Sequence, residues 1–137
     1  MRILLTGSSG QVGGALLAQL IGRHEVLTPG RSDFDLSRPE TLAAVLDRLR
    51  PDLVINPAAY TAVERAEDEP DLARMINAEA PAALAHWAAP RQVPLIHYST
   101  DYVFAGGGER PWREEDPCAP LSIYGRSKWE GEKAVQA

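Results

Sequence analysis

Tyr124 and Lys128 stand four residues apart in the stretch YGRSK. On a helix that spacing puts both side chains on one face, about one turn apart, so a phenol and an ammonium can reach the same small molecule. The chemistry open to such a pair is proton transfer. A free phenol titrates near ~10 and is a sluggish acid-base at neutral pH, whereas an ammonium close by favours phenolate and brings that value down. Spacing alone does not separate a catalytic pair from two polar residues on an exposed helix face; the rest of the chain has to build a site around them.

The elements available for that purpose alternate. Short apolar runs rich in Ile, Leu and Val are separated by longer stretches of helical periodicity, the pattern of βαβ units around a parallel sheet. Strands are predicted at residues 2–6, 25–28, 53–56 and 94–99. A helix is predicted over 11–21, with Val12, Leu16, Leu17 and Leu20 on one side. Ser37 followed by Glu40 reads as a capping box, with Pro39 in the first turn, opening a helix that Pro51 ends. Residues 63–89 are Ala-rich and helical, with interruptions expected near Pro70 and Pro81. The long loop over 101–120 is a functional suspect, because long loops in compact domains usually serve function. The expected fold is α/β, a Rossmann-like doubly wound parallel sheet, with residues 1–137 as one domain.

Composition narrows the classes. A chain of 137 residues holds one domain with a substantial core. No run approaches the roughly 18 apolar residues of a membrane span, and the apolar run before Gly7 is too short for a secretory signal, so a cytoplasmic protein without a membrane partner is expected. The net charge of −5 argues against a nucleic-acid surface, which needs clustered Lys and Arg. Cys118, the single cysteine, fits a reducing compartment and has no His or Lys near it in sequence to activate it. His24, His86 and His97 lack zinc-ligand spacing and read as packing or surface residues. The cluster Glu64, Glu67, Asp68, Glu69 and Asp71 reads as a solvated helix face, and no metal is expected.

The first strand runs directly into GSSGQVG, which places Gly7, Gly10 and Gly13 at three-residue spacing where a helix begins. Glycines there permit a tight turn and close approach of backbone to a pyrophosphate, while the helix start offers unpaired N–H groups and a positive dipole end. Where the second strand ends, the sequence TPGRSDFDL leaves the cofactor open. Arg31 can receive a 2′-phosphate, favouring NADPH; Asp33 or Asp35 can hold a 2′-hydroxyl, leaving NADH possible.

Three landmarks stand in order: GSSGQVG, NPAAYTAVERAE, and HYSTDYVF followed by YGRSK. Together they resemble the extended short-chain dehydrogenase/reductase superfamily, and within it the dTDP-4-dehydrorhamnose reductase family. The resemblance runs over essentially the whole chain, including the loop ERPWREEDPCAPLSIYGRSKWEGEKA. It implies that Gly7, Gly10, Gln11 and Val12 meet the pyrophosphate, that Asp35 and Leu36 flank the adenine, and that Ala58, Ala59 and Tyr60 line the cofactor. It also implies a catalytic set of Thr100, Tyr124 and Lys128, with Asp101 helping to hold a sugar nucleotide. The implied reaction is NADPH-dependent reduction of dTDP-4-dehydro-L-rhamnose, or a similar dTDP-4-keto-6-deoxy sugar, in nucleotide-sugar and polysaccharide biosynthesis. Reducing a ketone needs a hydride, a proton for the developing alkoxide and donors aimed at that oxygen, and these residue types supply the last two.

Members of that family run on well past this length, with further strands and a smaller lobe that grips the sugar nucleotide. The chain is therefore expected to be an N-terminal fragment that lacks the C-terminal strands and substrate lobe, binds cofactor and turns over poorly. An unprotected sheet edge invites a homodimer. Some relatives pair through magnesium held by an acid on the first helix; GGALLAQL carries none. Two alternatives remain: an epimerase or 4,6-dehydratase with tightly bound NAD, disfavoured by Tyr102 where dehydratases of the superfamily carry an acid, and a non-catalytic regulatory subunit like that of methionine adenosyltransferase.

Overall fold

A computed structural model describes residues 1–137. Four strands, β1 (Arg2–Leu5), β2 (Glu25–Leu27), β3 (Leu53–Asn56) and β4 (Leu95–His97), form one parallel sheet in the order β2-β1-β3-β4. The chain steps from β1 outward to β2, then crosses back over β1 to β3 and on to β4. The direction of winding reverses between β1 and β3, so the crevice beyond their carboxyl ends is the topological switch point of the sheet.

Alternation along the strands gives each sheet face its own core. Ile3, Leu5 and Ile55 face α1 (Gln11–Leu20) and meet its Leu16, Leu17 and Leu20. Leu4 and Val54 face the opposite layer, with Leu42 and Leu46 of α2 (Pro39–Leu49) and Leu84, Trp87 and Ala88 of α5 (Ala80–Ala88). Leu4, Leu42, Leu46 and Leu84 are fully buried, each contributing about 2 kcal/mol of apolar burial. At β4, the edge of the sheet, no helix covers the α1 side, and Ile96 is 44% exposed there.

Two local expectations are corrected. Ser37 does not cap α2: Arg38 is the residue before its first turn and makes no side-chain cap. The Ser37 amide and hydroxyl both donate to Asp35 Oδ1, at 2.9 and 2.7 Å, because an aspartate two residues upstream closes a local turn in competition with the cap. Pro39 does open the helix, and Arg50, left-handed at φ 47°, ends it before Pro51. The second correction concerns the Ala-rich segment. It breaks near Pro70 as expected, into α3 (Val63–Asp68) and α4 (Pro70–Arg74), but continues through a π-helical turn over Met75–Glu79 into α5 without a break at Pro81. Pro81 has no N–H for the Asn77 carbonyl four residues earlier, and the wider turn takes up that loss.

The last helix, α6 (Ile123–Gln136), lies against this π turn and α5. Glycines set the approach. A Cβ on Gly125 would stand 2.3 Å from the Tyr102 carbonyl oxygen, and one on Gly131 would stand 2.1 Å from that of Asn77. Ser122 Oγ accepts from the Gly125 amide at 3.0 Å and Glu67 Oε1 from the Ile123 amide at 2.8 Å, so the start of α6 is closed by the protein's own acceptors.

Candidate active site

The start of α1 is the opposite case. Gly10 precedes its first turn, no side chain caps it and no acid lies in that turn. The orphan amides of the first turn and the positive end of the helix dipole are thus left for an anion. The glycines form the cradle: Gly7 sits at φ +57° with Ala58 3.0 Å from where its Cβ would be, and a Cβ on Gly13 would come within 2.1 Å of the Gly7 carbonyl oxygen. Gly10 donates to that same carbonyl at 2.9 Å, closing the turn. Side chains at these points would collide with Ala58 and with the backbone of the turn itself, so the glycines are what let the strand turn tightly into a helix start with open amides, and the residues present fit a dinucleotide.

A cavity of about 490 Å³ opens at the switch point between this turn, the β2 loop and the β3 end. Gly7, Thr28, Arg31, Asp35, Leu36, Ala58, Ala59 and Ile76 are on its wall. Six residues singled out from the sequence, Gly7, Arg31, Asp35, Leu36, Ala58 and Ala59, are therefore brought together. The residue after β2 is Thr28, a neutral one, and Asp33 is not on the wall. Asp35 Oδ1 is occupied by Ser37 and lies 3.8 Å from Arg31 Nε. Those Ser37 hydrogen bonds, with help from Arg31 and Arg38, hold the Asp35 carboxyl below the ordinary range. Arg31 itself is exposed and free to turn toward an anion in the cavity.

Gly10, Gln11 and Val12 lie beside the cavity at the helix start, with Val12 exposed. Tyr60 lines the neighbouring cavity with Arg31, Arg65 and Glu69. Its hydroxyl donates to Glu69 Oε2 at 2.5 Å, which raises the phenol and lowers the carboxyl from their ordinary values.

Thr100, Tyr124 and Lys128 gather at the carboxyl end of β4. Lys128 is 3% exposed, and its Nζ donates to the Tyr98 carbonyl at 2.6 Å. Burial pulls its ammonium down to about 8. Tyr124, one turn earlier, is half-buried with its ring edge-on to Tyr102, centroids 5.4 Å apart. Thr100 begins a 3-10 turn over Asp101–Val103; its hydroxyl accepts from the Tyr102 amide at 3.3 Å and lies 3.4 Å from Asp101 Oδ1. Asp101 is exposed at this rim.

Asn77 and Ser127 escaped the sequence reading. Asn77, 1% exposed in the π turn, accepts from the Tyr60 amide at 2.8 Å through Oδ1 and donates through Nδ2 to the Tyr60 carbonyl and to Ser127 Oγ, both at 3.0 Å. Ser127 in turn donates to the Tyr124 carbonyl at 2.8 Å. One amide thus ties the β3 loop to the helix that carries Tyr124 and Lys128. The available signal was a lone asparagine inside an Ala-rich helical run.

A parallel sheet with a glycine turn at its switch point and a Tyr-x3-Lys helix at the end of β4 defines the short-chain dehydrogenase/reductase class. Within that class, the chain belongs to the family described as RmlD substrate binding domain, whose model matches residues 1–137. It is 49% identical to a dTDP-4-dehydrorhamnose reductase of Sinorhizobium fredii, over 98% of this chain and 46% of that protein. The crystal structure of a dTDP-4-dehydrorhamnose reductase of Clostridium acetobutylicum superposes with a TM-score of 0.94 at 39% identity, over 99% of this chain and 49% of that one. A Bacillus anthracis dTDP-4-dehydrorhamnose reductase in complex with NADP does so at 0.91 and 34% identity, over 98% of this chain and 49% of that one. The chain spans about half the length of the curated relatives it matches.

Proposed function

We propose that these residues form the cofactor-binding and proton-donating part of an NADPH-dependent reductase of dTDP-4-dehydro-L-rhamnose or a close dTDP-4-keto-6-deoxy sugar. The observation that carries the reading is the switch-point cavity with an uncapped helix start at one end and a buried lysine one turn from a tyrosine beyond the other. The open amides of the first α1 turn, at Gln11 and Val12, hold the pyrophosphate. Asp35 through Oδ2 and Leu36 flank the adenine opposite Ala58, Ala59 and Ile76. Thr28 and Arg31 receive the 2′-phosphate; the commitment of Asp35 Oδ1 to Ser37 and the absence of Asp33 from the wall favour this over a ribose hydroxyl.

NADPH, when bound, supplies the hydride. Tyr124 gives its phenolic proton to the developing alkoxide, and Thr100, released from Asp101, donates to the same oxygen. Lys128 anchors the nicotinamide ribose and favours the phenolate that Tyr124 becomes. Asp101 holds the sugar. Relatives of twice this length are the named reductases, so for the 137 residues themselves the proposal is cofactor binding with poor turnover. The test is NADPH oxidation driven by the dTDP-4-keto sugar in a polypeptide of the relatives' full length that carries this sequence, beside its Tyr124→Phe variant. Oxidation by the parent and not by the variant supports the reading; none by the parent ends it.

A further inference from the structure

Thr6, Asn56 and His97 lie at the carboxyl ends of three neighbouring strands, and their alternation puts them on the face that carries Leu4, Val54 and Leu95. Their side chains form a directed row. The Ala58 amide donates to Thr6 Oγ1 at 3.3 Å, Thr6 Oγ1 donates to Asn56 Oδ1 at 2.6 Å, and Asn56 Nδ2 donates to His97 Nδ1 at 3.2 Å. Each bond orients the next. With its oxygen taken by Thr6, Asn56 turns its amide nitrogen to the imidazole, so Nδ1 is the acceptor and Nε2 carries the proton. Nε2 is buried and has no partner in the protein. Burial first, and the Lys128 charge second, pull the ring down to about 4, so it is neutral at pH 7.

Two residues below, the same three strands place Leu4, Val54 and Leu95 side by side. An apolar triplet holds a sheet without leaving a buried donor unpaired, so the polar row is not what stability alone selects. Its two ends indicate its use. Thr6 and Ala58 line the switch-point cavity, and His97 precedes Tyr98, whose carbonyl receives Lys128.

We propose that Thr6, Asn56 and His97 are positioning residues: the row pins the end of β4 to the cofactor crevice and so holds the Tyr98 carbonyl, and the Lys128 ammonium on it, level with the nicotinamide ribose. The inference rests on the cofactor reading above. His97→Phe leaves Asn56 Nδ2 unpaired and releases the strand end.

The experiment is a pair of calorimetric titrations, NADPH against 2′-phospho-ADP (adenosine 2′-phosphate 5′-diphosphate), which lacks the nicotinamide riboside. His97→Phe weakens NADPH about tenfold and leaves the fragment as in the parent, while His97→Asn, whose Oδ1 stands where Nδ1 did, restores most of the loss. An equal loss on both ligands, no loss on either, or no restoration by His97→Asn overturns the proposal. A parent that binds neither ligand overturns the cofactor reading and the proposal with it. If His97→Phe does not fold, imidazole ¹⁵N resonances of the parent at pH 7 decide: a neutral ring protonated at Nε2 is expected, and one protonated at Nδ1, or at both nitrogens, contradicts the row.

Discussion

Gly131→Ala sets two opposed effects against each other in the helix that carries Tyr124 and Lys128. Helix propensity favours the change by about 1 kcal/mol, since alanine loses less backbone entropy than glycine. Packing opposes it: the new Cβ would stand 2.1 Å from the Asn77 carbonyl oxygen, and a carbon needs about 3.3 Å from such an oxygen. Helix α6 would have to move about 1 Å away from the π turn, and overpacking of that kind costs about 1–3 kcal/mol, with the Asn77–Ser127 bond strained as well. With about 1 kcal/mol for the strained bond, the net loss is about 1–3 kcal/mol, a fall in Tm of roughly 3–12 °C for a chain of this size. Displacement of Lys128 by even part of an ångström also weakens NADPH, although residue 131 touches no ligand. Gly14→Ala in α1 is the control: its Cβ meets only the Ser8 carbonyl oxygen, at 3.4 Å, so the same substitution should be neutral or stabilising. Thermal and urea unfolding of the two variants beside the parent give the comparison. Gly131→Ala as stable as the parent, with NADPH affinity intact, would refute the close approach of α6 to the π turn.

Other outcomes follow from the site. Arg31→Ala should weaken NADPH about fivefold and leave NADH within twofold by fluorescence titration, a modest effect because the guanidinium is exposed. Tyr124→Phe should cut kcat by about 10²–10⁴ in a polypeptide of the relatives' full length that carries this sequence, and leave the Kd for NADPH unchanged. Stability should rise with pH in two separate steps. His97 and Lys128 both have folded pKa values below their ordinary 6.5 and 10.5, at about 4 and about 8, so the unfolded chain binds more protons in each window. Urea midpoints should therefore climb between pH 4 and 6.5 and again between 8 and 10.5, and Lys128→Met should abolish the second climb. A second climb that persists in Lys128→Met would remove the buried ammonium from the account.

The strands were legible to within a residue or two because a short run of Ile, Leu and Val is a local signal: β3 falls where the sequence placed it, and β1 and β2 end one residue early. The glycine turn was legible for the same reason, since strand, glycines and helix follow one another directly. What escaped depends on residues far apart in sequence. The π turn answers both a proline within its own segment and Gly131, some fifty residues on, whose backbone takes the space beside Asn77. Ser37 was drawn from its cap by Asp35, a choice between two local partners that the pattern S-x-x-E does not decide. The Thr6–Asn56–His97 row is invisible to any periodicity, because it needs the strand order and the register together.

The most direct measurement is the ¹H–¹⁵N spectrum of the chain titrated with NADPH and, separately, with 2′-phospho-ADP, which ends at the diphosphate. The amides of Gly10 to Val12 and of Arg31 should shift with both ligands, and those of Tyr98, Tyr124 and Lys128 with NADPH alone, placing one molecule from the glycine turn to the lysine. Shifts confined to either end with NADPH, or none at all, would contradict the account.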